Sequence, residues 1–200
     1  MNEAVSATHH LRLFTHDLHK QLEQTAIAQD LMSPQITFGR YVEILRTWGS
    51  AWALFESAMR DCRYASQIPL LLPTERSTRA EADLRYLAGH HTAAPSRLDQ
   101  CHFQFPSPKS LSALVGVCYV TRGASLGAKV IARHLTSTLD LKEFSGAGFF
   151  SQNNEAVGWS QWMHHADALL DNEKKIEQAA LAAASTFTFL LHVFRLADSE

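Results

Sequence analysis

The apolar positions of this chain recur with helical spacing from its first stretch to its last. Leu11, Thr15, Leu18 and Leu22 lie at i, i+4, i+7 and i+11, which predicts an amphipathic helix over about 9–28. Ser33-Pro34 ends it. Thr37 is placed to cap a second long helix carrying Phe38, Tyr41, Leu45, Trp48, Trp52, Leu54, Phe55 and Met59. Pro69 and Pro73 bracket a linker, after which Thr78 starts a shorter helix through Leu84 and Leu87, stopped by Gly89. Residues 90–108 hold three prolines and little periodicity, so they read as loop. Ser107-Pro108 then opens a long helix over 109–135. Gly146 and Gly148 mark another loop, and Asn153 or Asn154 caps a helix through Trp159, Trp162 and Leu169. Asp171-Asn172 begins the last helix, which runs to about Leu196. Strand alternation is scarce, and the only biased stretch is alanine-rich 179–184. The expectation is an all-α fold: a single domain over residues 1–200, built as a multi-helical bundle.

Composition narrows the class. With 46% hydrophobic and 19% charged residues, the chain of 200 residues has the balance of a globular protein and not of a disordered one. Its 18 basic and 20 acidic residues are spread along the sequence without a basic stripe, which argues against nucleic acid. Cys62, Cys101 and Cys118 lie far apart, which speaks for a reducing compartment and against a disulfide framework. The N-terminal segment lacks the apolar core of a signal peptide. No apolar run reaches the roughly 18 residues a spanning helix needs. A soluble, cytoplasmic monomer is expected. Histidine is the outlier, at 11 residues.

Candidate chemistry starts beside the leucine stripe of the first helix. At about 100° per residue, Arg12, His16, His19 and Glu23 share a sector of roughly 60°. His19 lies nearest the apolar edge, and Glu23 one turn later can fix its tautomer and raise its basicity, as an acid does behind a metal-binding imidazole. An exposed His–Glu pair on a solvated flank has the same spacing. On the long helix over 109–135, Gly116, Gly123 and Gly127 project within about 40° of one another, flanked by Tyr119, Leu126, Val130 and His134. A glycine inside a helix costs up to about 1 kcal/mol relative to alanine, so three on one face call for close approach by something. That something is either a packed helix or a planar ligand. A histidine with an acid partner on one helix and bared backbone on another would suit a flat metal macrocycle such as heme.

These segments resemble the heme oxygenase family. LRLFTHDLHKQLE is similar to the family's proximal-helix motif, and PKSLSALVGVCYVTRGASLGAKVIARHL to its distal helix, with Tyr119, Gly123 and Gly127 at the Tyr and two Gly of that motif. LLPTERSTRAEADLRYL resembles the linker and third helix, and STFTFLLHVF the last helix, in the same order. The resemblance implies a bacterial, biliverdin-producing enzyme that degrades heme with O2 and electrons to biliverdin, CO and free iron. Heme would be both cofactor and substrate. His19 would ligate iron, with Glu23 hydrogen-bonded to it. Arg12, His16 and Tyr119 would face the propionates, and Gly123 and Gly127 would make room on the distal side. A ferredoxin or flavoprotein reductase would supply electrons, and a bacterial phytochrome could receive the biliverdin. The chain departs from many members by carrying Ala124 where they have Asp, Ala128 where they have a further Gly, and His192 where an Asn is expected.

Other motifs are weak. His90-His91 and His164-His165 are adjacent pairs that diverge on a helix, and the four tryptophans read as core and cleft walls. Two other functions compete with the oxygenase. One is a non-catalytic heme-binding or heme-transfer protein on the same scaffold. The other is a thiaminase-like helical enzyme, which would need an acid–thiol site.

Overall fold

The computed structural model describes residues 6–73, 76–89, 103–142, 145–151 and 156–198. Seven α-helices order the described residues: α1 (Ala7–Glu23), α2 (Ala26–Leu31), α3 (Phe38–Arg60), α4 (Ser77–Ala88), α5 (Leu111–Leu139), α6 (Trp159–Leu169) and α7 (Glu173–Asp198). A single 3-10 turn covers Ala65–Gln67, and extended pairing among the described residues is confined to isolated bridges at Lys142. The fold is all-α, as expected.

The helix boundaries show local chemistry at work, and in places correct the sequence reading. The helix expected over 9–28 starts earlier, at a Ser6 cap, and divides at Thr25. The Thr25 hydroxyl donates to the Leu22 carbonyl at 2.7 Å and accepts from the Ala28 amide, so one side chain closes α1 and opens α2. Thr37 caps α3 as predicted. Helix α4 opens at Ser77, not at Thr78, and its cap comes from another helix. The buried Glu56 carboxylate of α3 accepts from the Arg76 and Ser77 amides and the Ser77 hydroxyl. Ser110 caps α5, later than the expected Ser107-Pro108 start, while the Ser107 hydroxyl ties the loop to the Ala58 carbonyl. Helix α5 also runs past the expected end at Leu135 to Leu139, where Asp140 turns it off in the left-handed region (φ 53°). Asn172 accepts from the Lys175 amide and starts α7 as predicted. Asn153, Asn154, His90, His91 and Cys101 lie outside the described residues.

Helix α7 is the strut of the bundle. Both α5 and α1 pack extensively on it, while α1 and α5 scarcely touch each other. The alanine run explains the first contact. Ala179, Ala180 and Ala183 are fully buried, and a Cβ on Gly116 would overlap the carbonyl oxygen of Ala179. The helix-packing reading of the glycine face is therefore right for Gly116. A similar close approach joins α3 to α4, where a Cβ on Gly49 would fall 2.8 Å from that of Ala80. The segment 145–151 is pinned from below. Asp83 accepts from the Gly146 and Phe149 amides, the Tyr41 hydroxyl donates to the Gly146 carbonyl, and Arg76 donates to the Phe149 carbonyl. Gly146 has φ 99°, a conformation that favours glycine.

Helices α5 and α7 are long and apolar enough in composition to cross a membrane, although neither holds an unbroken apolar run; 61% and 50% of their most apolar windows are buried inside the fold. Their hydrophobicity is that of core helices.

Gly116→Ala should cost about 1–3 kcal/mol, because the new methyl must push α5 off α7. Gly127→Ala, whose methyl would have no atom within 4 Å, should leave unfolding unchanged or slightly stabilised by helix propensity. Urea melts of the two variants measure the difference.

Candidate functional site

The gap between α1 and α5 is a cavity of about 1240 Å³, roofed by α3 and α6 and floored by α7. This is larger than the roughly 300–1,000 Å³ of ordinary small-molecule pockets. Arg12, His16, His19, Glu23, Tyr119, Gly123 and Gly127 all line it, so the seven residues singled out from sequence come together around one space.

The α1 wall is built by periodicity. Leu11 and Thr15 are buried, with the Thr15 hydroxyl donating to the Leu11 carbonyl, and Thr15 borders the cavity beside the stripe of Arg12, His16, His19 and Glu23. His19 Nδ1 stands 3.4 Å from a Glu23 carboxylate oxygen, and the imidazole packs edge-on against Phe187 of α7 at 5.6 Å. The His19 side chain is 57% exposed and lies between Glu23 and Phe187. Among the described residues no three His, Cys, Asp or Glu side chains converge, so a metal here would take its protein bond from a lone imidazole. Arg12 lies one turn before His16, and its guanidinium reaches His9 Nδ1 at 3.5 Å. His9 is a cavity residue the sequence reading did not pick out.

Tyr119 faces this cationic end from α5. Burial raises its phenol above the ordinary value of 10.0, while a hydrogen bond with Thr15 and the charge of Arg12 pull it back. Gly123 and Gly127 behave differently from Gly116. A Cβ at Gly127 would meet nothing within 4 Å, and one at Gly123 only the Trp159 ring at 3.6 Å. Their bare backbone faces open cavity. Ala124 lines the same wall, and Leu126 and Val130, both more than half exposed, continue it toward the mouth. Trp48 and Trp52 of α3 and Trp159 and Met163 of α6 complete the apolar surround, whereas Trp162 is core. Ala128 is buried in packing, and His192 meets Phe103 edge to face and does not line the cavity. His164 and His165 lie edge to face with each other on α6 and take no part.

A flat, largely apolar group with an anionic edge and a metal centre fits this donor set: one part-exposed imidazole, Arg12 with histidine and hydroxyl groups at one end, and an α5 wall left bare at Gly123 and Gly127.

Because the Tyr119 phenol is held above 10.0, stability should fall as the pH rises past about 10, where the unfolded chain ionises this tyrosine and the folded chain does not. Tyr119→Phe should flatten that limb of a denaturation-versus-pH curve; an unaltered slope would show that Tyr119 titrates alike in both states.

The Heme oxygenase family model matches residues 5–196. The solved heme oxygenase of Leptospira interrogans is 19% identical, covering 94% of this chain and 98% of its own, with a TM-score of 0.69. The NO- and CO-bound heme oxygenase of Neisseria meningitidis is 19% identical over 97% and 92%, with a TM-score of 0.73. Heme oxygenase-2 of Synechocystis, in complex with heme and NO, is 17% identical over 95% and 84%, with a TM-score of 0.69. No curated protein sequence matches the chain significantly. At these identities the solved structures speak for the fold, and the family match, which takes in α1 and α5 alike, decides membership: the chain belongs to the heme oxygenase family.

Proposed function

We propose that the protein degrades heme with O2 and externally supplied electrons to biliverdin, CO and iron. The observation that carries this reading is the opposition of His19, with Glu23 behind it, to the unfilled backbone of Gly123 and Gly127 across one cavity. When bound, heme supplies both the iron at which O2 is reduced and the ring that is oxidised. The chain's part is to seat and confine it. His19 offers Nε2 as a neutral ligand, and Glu23 holds the other nitrogen without making the imidazole a strong anionic donor. Arg12, His16 and Tyr119 take the propionates, Arg12 through its fork of donors. Leu126, Val130 and Met32 shield the apolar ring edges. Gly123 and Gly127 keep side chains away from the face opposite His19.

A soluble cytoplasmic setting, a monomeric enzyme, a ferredoxin or flavoprotein reductase as electron donor and a bacterial phytochrome as recipient complete the proposal. Ala124 favours one rival, a heme carrier without turnover, because it leaves that wall without a carboxylate. The thiaminase-like reading finds no support among the described residues: Cys62 and Cys118 are buried outside the cavity, and burial pushes the Cys118 thiol up to about 12, far from a nucleophile.

Hemin should give a histidine-ligated Soret band, and reductant with O2 should then yield a verdin. A stable Soret without verdin would make the protein a carrier. His19→Ala should lose the imidazole-type spectrum and most turnover with helicity intact, and Glu23→Gln should do less, since it alters the ligand's partner only. Arg12→Ala should weaken hemin binding about tenfold or more, as loss of a charged hydrogen bond worth roughly 1.5–3 kcal/mol implies, and broaden the mixture of biliverdin isomers. Product chromatography reads the second effect.

A further inference from the structure

Side chains of α5 reach across the gap on both sides of its bare turns. Before Gly123, Tyr119 hydrogen-bonds Thr15 of α1. Beyond Gly127, His134 Nε2 stands 2.9 Å from the carbonyl oxygen of Ser33, just past the end of α2. A carbonyl only accepts, so Nε2 carries the proton, and His134 Nδ1, 3.4 Å from the Thr138 hydroxyl one turn along α5, is left to accept. Ser33 is a firm anchor. Its carbonyl also accepts from the Ile36 amide, its hydroxyl from the Gln35 amide, and its own amide donates to the Asp30 carbonyl. Helix α2 is itself pinned to two neighbours. Asp30 pairs with Arg40 of α3 at 2.9 Å, and Asp198 of α7 takes both Arg40, at 3.1 Å, and the Ile27 amide.

This latch adjoins residues that line the cavity. Met32 precedes Ser33, Val130 and Ile131 precede His134 by about one turn, and all three are lining residues. Ala128, Ala132 and Leu135 bury the core side of this half of α5, whereas Leu126 and Val130 on its cavity side are more than half exposed. At Gly127 there is no side chain to fill the gap, and a Cβ there would meet nothing within 4 Å. We infer that His134 is a positioning residue: its hydrogen bond to the Ser33 carbonyl ties the second half of α5 to α2 and so fixes how near the turns at Gly123 and Gly127 stand to the α1 wall. A planar guest meets this part of α5 through bare backbone and the side chains of Leu126 and Val130. Dispersion contact falls off so steeply that a gap of roughly 0.5–1 Å forfeits about a quarter to a half of it. Small displacements of this wall therefore decide how long such a guest stays. The latch is independent of what the cavity binds; its effect on the guest rests on the heme reading.

Heteronuclear NMR of the heme-free wild type should show His134 as the Nε2–H tautomer, with that proton slow to exchange. His134→Leu should speed amide exchange in α2 and in the second half of α5. Hemin transfer to excess apomyoglobin should run about two- to tenfold faster from His134→Leu than from wild type, the worth of one hydrogen bond. His134→Gln, whose amide can donate from a similar reach, should restore the wild-type rate. Asn172→Ala removes the cap of α7 at the end opposite Asp198, so it should lower the urea midpoint without hastening hemin loss. The Nδ1–H tautomer in wild type, or a freely exchanging Nε2 proton, overturns the latch even if a variant fails to fold. Hemin loss at the wild-type rate from folded His134→Leu, no recovery in His134→Gln, or equal hastening by Asn172→Ala overturns the positioning role. Failure of hemin to bind wild type would instead defeat the heme reading, and the tautomer and exchange results would then decide the latch alone.

Discussion

Everything at the site depends on how closely α5 can approach α7. Gly116 sits on the backbone of Ala179, and no residue with a Cβ fits there without moving one of the helices. That contact, with the buried alanines around it, clamps the first half of α5 to the strut. Helix α1 packs on the same strut, with Leu11 of its inner stripe in the core and Leu18 and Leu22 against it. Two helices fixed to a third need not touch each other, and α1 and α5 scarcely do. A void of this size between free helices would collapse, because apolar walls gain by meeting. Here collapse would have to break the packing on α7, so the gap persists.

A second brace holds the α3 wall. Glu56, Arg76, Asp83 and Tyr41 are buried polar groups that bind backbone atoms of other segments, joining α3 to α4 and both to residues 145–151. Such groups are expensive to bury and more expensive to orphan, so each becomes a fixed point once its partners are met. Burial lowers Arg76 to about 10, which still leaves it charged near neutrality, with its guanidinium over the Phe149 and Trp52 rings. Burial raises Asp83, and its bonds to backbone amides work in the opposite direction. The tryptophans of α3 are thus mounted on a rigid frame and not on a hydrophobic face free to slide.

Much of this was legible in the sequence because it is local. The stripe of Leu11, Thr15, Leu18 and Leu22, the neighbouring sector from Arg12 to Glu23, and the i, i+4 pairing of His19 with Glu23 follow from one helical period. The Thr37 and Asn172 caps were readable for the same reason. What escaped was long-range. Glu56 caps α4 from twenty residues upstream, and no spacing rule reports a carboxylate delivered by another helix. Gly116, Gly123 and Gly127 look alike on a helical wheel, yet one meets a helix backbone and two meet open space, because α5 crosses α7 and then leaves it. Thr25 was hidden inside an apparently continuous pattern, since its hydroxyl can serve both the end of one helix and the start of the next. His9 was overlooked because it lies beyond the stripe that drew attention, one turn before Arg12.

The distribution of charge around the cavity adds a constraint that shape alone would not. His9, Arg12 and His16 lie along one edge of α1, with Tyr119 facing them from α5 and Glu23 standing at the far end beside His19. Apart from Ser6, Thr8, Thr15 and Gln29, the remaining lining is aromatic or aliphatic, from Trp48 and Trp52 round to Met163, Leu126 and Val130. A guest with carboxylates on one edge can satisfy them at the cationic end only; turned around, it would leave them against an apolar wall or beside Glu23. Unpaired carboxylates in such surroundings are costly, and a charged hydrogen bond contributes about 1.5–3 kcal/mol where it forms. If Arg12 takes such a carboxylate, as proposed above, a bond of that size would favour one orientation by roughly tenfold. On that proposal, the same helix face that presents the imidazole would also set which edge of a planar guest lies beside Arg12.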